Sequence, residues 1–296
     1  MTRRHKFLTG LSTLTIASAL AFSAWAEGEG AEGEGEGAAA SVADDKDKNK
    51  NKKSGEGEGE GGESEGEGES EGEGESEGEG EGESEGASAS ADPASNDIEY
   101  VRRLGLVRGH LAAFAELYAA GKTDQALLHA KHPESELYKG LEPAFAARGA
   151  TGFAEHLETV AALATEGGDV KSAFALLNSE ITNHTPDVSV ATRLMAISGI
   201  VTTAGDEFAL GVKKNGTVKK PHEYQDAYGF IIAAKEILAS AVPAPGAETD
   251  AAAIVSEQLD KALGAFSGLD ATKTKGKAST LYGAAARIEI AALGLK

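Results

Sequence analysis

From Glu27 to about Asn96 the chain is written almost entirely in Glu, Gly and Ser, and this stretch sets the outer limit on what can fold. A short Asp/Lys/Asn patch, Asp44 to Lys53, interrupts the repeats, and Val42 is nearly the only side chain worth burying. Glycine loses the most backbone freedom on ordering, alternate glutamates repel, and no apolar surface offsets either cost. Residues 27–95 are therefore expected to be a disordered acidic tail, and folding is left to about two hundred residues, 96–296, enough to bury a core. Two roles suit the tail: a solubilising spacer, or a weak sponge for divalent cations, whose hard oxygen ligands carboxylates are.

The acidity belongs to that tail. Residues 27–97 hold 20 Glu, 5 Asp and 5 Lys against a net charge of −20 for the whole chain, so the remainder is nearly neutral. Nucleic acid is an unsuitable partner, because it calls for clustered Lys and Arg. Ahead of the tail, Arg3, Arg4 and Lys6 precede an apolar run from Phe7 to Phe22, then Ala24-Trp25-Ala26. A basic start, a short apolar stretch and small residues before a cut describe a secretory signal peptide over 1–26. The run is short of the roughly 20 residues of a bilayer span, and no later segment reaches that length, so no transmembrane segment is expected in the mature chain. The paired arginines point to twin-arginine export and the remaining anatomy to an ordinary Sec signal. Either route implies a periplasmic or secreted protein. The absence of Cys excludes disulfides, thiolate metal sites and a cysteine nucleophile.

After Asn96 the apolar residues recur with helical period. Asn96-Asp97-Ile98-Glu99 reads as a helix cap, followed by Val101, Leu104, Val107, Leu111, Phe114 and Tyr118 up to Gly121. A second helix, from Thr123, is predicted to break at His132-Pro133, with Pro133 opening a third that Gly149 stops. Helices over about 153–164, 170–182, 188–212, 223–241, 250–266 and 279–295 follow, separated by Gly-, Asn- and Pro-bearing turns. No period-two strand pattern is sustained. The predicted class is all-α: an antiparallel helical bundle of eight or nine helices, either continuous or in two halves, 96–185 and 186–296.

Five of the seven histidines lie in the first half of this region. His129 and His132 are three apart, Glu136 follows four later, and His110 has apolar neighbours that turn it inward. Imidazole with carboxylate suits iron, zinc, copper or nickel, and bundle interiors build such sites from facing helices. Helix capping and a satisfied core histidine are the plainer roles for the same residues. A second, acidic group is Glu207 with Glu223 and Asp226, on helices that an antiparallel turn would bring together; paired carboxylates call for a cation or a shared proton. No G-x-S-x-G elbow, P-loop or H-E-x-x-H run is present, which argues against an enzyme.

The stretch Ala204-Gly-Asp-Glu-Phe-Ala-Leu-Gly-Val212, Asn215-Gly-Thr-Val218 and His222-Glu-Tyr-Gln-Asp-Ala-Tyr-Gly-Phe230 resembles the periplasmic helical segment ahead of the membrane part of some bacterial iron permeases. The likeness covers about 27 residues, and the Arg-Glu-Gly-Leu-Glu motif of the permeases is absent. A second similarity, in export and helical content, is to imelysin-type iron-uptake proteins; Gly152-Phe-Ala-Glu-His156-Leu-Glu158 only approaches their Gly-x-His-x-x-Glu motif. These resemblances imply iron as the transition-metal ion bound and an envelope or membrane-transporter partner, without transport by this chain itself. They set an exported metal-binding or metal-uptake accessory protein against an envelope interaction protein whose bundle docks a partner and whose tail is a tether.

Overall fold

The structure, a computed structural model, describes residues 91–295, apart from the side chains of His132, Glu134, Ser135 and Glu136. The signal peptide and all but the last residues of the acidic tail lie outside that range. Within it the chain forms helices α1 (Asp97–Ala119), α2 (Thr123–His132), α3 (Lys139–Ala147), α4 (Ala154–Glu166), α5 (Val170–Asn183), α6 (Val190–Gly211), α7 (Pro221–Ala239), α8 (Ala247–Leu263) and α9 (Ala278–Leu293). The all-α class is as the sequence predicts: among the described residues there is no β-sheet, only isolated bridges, and no helix is long and apolar enough to cross a membrane.

Local chemistry sets several helix ends. Asn96, in extended conformation, accepts a hydrogen bond from the Glu99 amide at 3.1 Å, Asp169 does the same for Ser172 at 3.0 Å, and Ser189 for Thr192 at 3.1 Å. Each satisfies one of the amides that a helix start leaves without a partner. Gly167 ends α4 in the left-handed conformation, φ 80°.

The predicted break at His132-Pro133 does not occur. Pro133 keeps helical angles, φ −57° and ψ −34°, and the winding continues through a π-helical turn, Pro133–Tyr138, into α3. Proline lacks the amide donor and its ring crowds the carbonyl four residues back, so local widening relieves both problems without ending the helix. At the end of this turn the Tyr138 hydroxyl accepts from the amides of Phe153 (2.8 Å) and Ala154 (3.0 Å) and so caps α4 from a distance.

Helices α6 to α9 pack in an up-down-up-down ring, with α6 against α7 and α9, and α8 against α7 and α9. Helix α1 lies along the outside of α7 and α6, α2 packs on α1, and α4 and α5 pair beyond it. One continuous apolar core joins them, from Leu104, Val107, Leu111 and Phe114 of α1 to Ile197, Val201, Phe230 and Ile237 of the ring. The α6–α7 turn is tied by backbone bonds: Lys219 N donates to Gly211 O at 2.8 Å, and Val218 N to Thr272 O in the α8–α9 loop at 3.0 Å. That fixes where Pro221 begins α7.

The crossing of α1 and α7 depends on two glycines. A β-carbon built on Gly229 would overlap the Gly109 carbonyl oxygen, and one on Gly109 would meet the Phe230 ring and lie 3.0 Å from its backbone. The two backbones therefore approach more closely than any larger residue permits, which brings the side chains next to the crossing, His110 and Asp226, within reach of each other.

Near the start of α1, Glu99 accepts from Arg102 Nε (2.8 Å) and Arg103 Nε (2.7 Å). Burial acts to raise the Glu99 carboxyl, but the hydrogen bonds and charges of Arg102 and Arg103 outweigh it and hold it below its ordinary value. The unfolded chain therefore takes up this proton first. The stabilisation is complete above the unfolded value of about 4.3 and is lost as pH falls through the lower folded value. The stability gap between the wild type and Glu99→Gln, read by denaturant unfolding, should be larger at pH 7 than at pH 3; an equal gap at both would contradict this.

Candidate metal centre

Three helices meet at one carboxylate. Asp226 of α7 is buried, and its Oδ1 accepts from His110 Nδ1 of α1 at 2.6 Å and from His129 Nδ1 of α2 at 2.7 Å. All three side chains are shut away from solvent, with exposures of 1%, 4% and 0% respectively. The other nitrogen of His129, Nε2, lies 3.0 Å from the side-chain oxygen of Gln225, whose amide nitrogen donates to Gln125 Oε1 at 3.1 Å. The Phe230 ring meets His110 edge-on at 5.0 Å between centroids, and His222 stacks on His129 at 4.3 Å. Hydrogen bonds and ring contacts thus hold both imidazoles.

Burial alone would raise the Asp226 carboxyl. The charge of His110, its hydrogen bond and that of His129 overcome the burial and hold the group far below the usual carboxylate range, so it stays an anion. A buried anion between two imidazoles has two chemical uses. It can orient the rings, or it can join them as ligands of one cation. One donor atom from each of His110, His129 and Asp226 lies within 4.8 Å of the others, and among the described residues this is the one such group of three. The donor set, two borderline nitrogens and one hard oxygen, fits a first-row transition metal. Binding there through Nδ1 would require each ring to carry its proton on Nε2 instead.

Of the seven residues singled out from the sequence, the structure brings His110, His129 and Asp226 together. The side chains of His132, at the end of α2, and Glu136, in the π-helical turn, are outside those described. Glu207 and Glu223 are not members of that group of three: Glu223 accepts from Lys220 Nζ at 2.6 Å, and Glu207 lies half-buried on α6. The reason is rotational. Residues 222 and 226, four apart, share the face of α7 that meets α1 and α2, whereas residue 223 is turned by about 100° from residue 222. Sequence reasoning missed His222, Gln225 and Gln125 as members of this network. The four-residue spacing of His222 and Asp226 was the available signal for the first.

Comparison with known proteins adds one finding. Residues 185–292 match the family model described as the iron permease-associated 4-helix bundle domain, which spans the α6–α9 ring and includes Asp226. No curated protein and no solved structure matches the chain.

Proposed function

We propose that this chain is an exported iron-binding accessory of a membrane iron transporter, acting outside the cytoplasm as a binding protein rather than an enzyme. The observation that carries this reading is the convergence of His110, His129 and Asp226 at one buried point, with the carboxylate supplied by the segment that matches an iron permease-associated domain. That match supports association with iron uptake and, through it, a transporter as partner. The signal-peptide pattern supports export.

The charge balance favours a divalent ion. One carboxylate compensates one positive charge, so Fe(II) leaves a smaller uncompensated charge in the buried site than Fe(III), and buried charge is expensive. Imidazole nitrogens also suit the softer of the two states.

The test is titration of the full chain with Fe(II) under anaerobic conditions, with elemental analysis of the loaded protein. One tightly held ion per chain is expected, lost in His110→Ala/His129→Ala. Weak binding that survives in this variant belongs to the acidic segment. A wild type with no tight ion, or one whose tight ion persists in the variant, would refute the site.

A further inference from the structure

We infer that His222 is the fourth ligand of this centre and the one through which the ion enters and leaves. The inference rests on the metal-binding reading above and extends it to coordination number and exchange.

Three observations converge on His222. Its Nε2 lies 3.3 Å from Asp226 Oδ2, the carboxylate oxygen not occupied by the other two histidines, so three imidazoles surround one carboxylate. Its place is set by the helix: His222 and Asp226 are one turn apart at the start of α7, with Pro221 at the first helical position. Stacking on His129, with rings 24° from parallel, holds the imidazole beside the site, and ligation would turn the ring so that its nitrogen faces the ion. Three nitrogens and one oxygen make four donors, the number that Zn(II)-like tetrahedral centres use.

Exposure distinguishes His222 from the other three. Their side chains are at most 4% exposed, and His222 is 18% exposed. It is the member of the set that touches both water and the inner carboxylate. An ion arriving from solvent meets His222 and Asp226 Oδ2 before the inner Nδ1 atoms, and an ion leaving is released by them last. The inner ligands then govern how tightly the ion is held, and His222 governs how fast it exchanges.

The test uses the full chain with Cu(II) and Co(II) as spectroscopic probes. Electron paramagnetic resonance of the wild type loaded with one Cu(II) should show three coordinated nitrogens; two would overturn the inference without any variant. In His222→Gln, which keeps side-chain bulk against His129, affinity should fall at least as far as on losing an outer-shell partner, about 10- to 100-fold. Release of Co(II) to a chelator should quicken, and its visible absorption should weaken as water replaces the lost nitrogen. Affinity, release rate and spectrum equal to wild type in His222→Gln, with binding still abolished in His110→Ala/His129→Ala, would overturn the role of His222 and leave the three-residue centre standing. A wild type that takes up no ion in the site overturns both.

Discussion

Asp226→Ala in the full chain is expected to abolish tight metal binding and to lower the unfolding free energy of the metal-free protein by about 3–5 kcal/mol, the usual result of removing one partner of a buried charged network. The carboxylate accepts from His110 and His129 in a buried setting, so its loss leaves two buried Nδ1 donors without an acceptor. Asp226→Asn separates the two effects. Its amide oxygen, with two lone pairs, can still accept from both imidazoles, so the stability loss should be smaller, while the missing charge should still remove metal binding. Paired denaturant curves and Fe(II) titrations check this. An Asn variant that binds as tightly as wild type would show that the carboxylate only orients the imidazoles.

The second large effect is expected at the α1–α7 crossing. Gly229→Ala puts a methyl group into the Gly109 backbone carbonyl, where no side-chain rotation can relieve the overlap. The helices must separate, at a cost near the upper end of the about 1–3 kcal/mol typical of overpacking. For a folded region of this size that corresponds to a fall in Tm of roughly 6–12 °C, followed by circular dichroism. Separation also draws His110 away from Asp226, so metal affinity should fall although residue 229 touches no ligand. Gly121→Ala is the control: Gly121 has φ 73° and nothing near its would-be β-carbon, so it should lose some stability through backbone strain alone and keep its metal. Equal metal affinity in wild type and Gly229→Ala would show that the crossing does not position the site.

Much of the fold is legible in local sequence, because its signals act over a few residues. Asn96 and Asp169 announce helix starts through their own side chains, Gly149 and Gly167 announce stops through left-handed angles, and the apolar spacing of α1 identifies its buried face. The π-helical turn is not legible: proline signals that the α-helical ladder fails at Pro133, but whether the chain breaks or widens depends on what packs around it. The centre is legible only in part. His110 and His129 draw attention by residue type and apolar surroundings, yet their acceptor lies 116 and 97 positions away. No short-range pattern encodes that pairing. It follows from two glycines letting α1 and α7 approach, and neither glycine is distinguishable in sequence from one in an ordinary helix.

The site straddles a seam in the chain. Asp226, His222 and Gln225 come from the portion that matches the four-helix domain, while His110, His129 and Gln125 come from helices that precede it. The four-helix segment on its own would thus carry an acidic socket with no inner imidazoles, and the preceding helices would carry imidazoles with no anion. The buried network is in this sense conditional, like a lock that needs two keys turned together: a break at the connection near Pro186 that let the pieces part would dismantle it without altering a single one of its side chains.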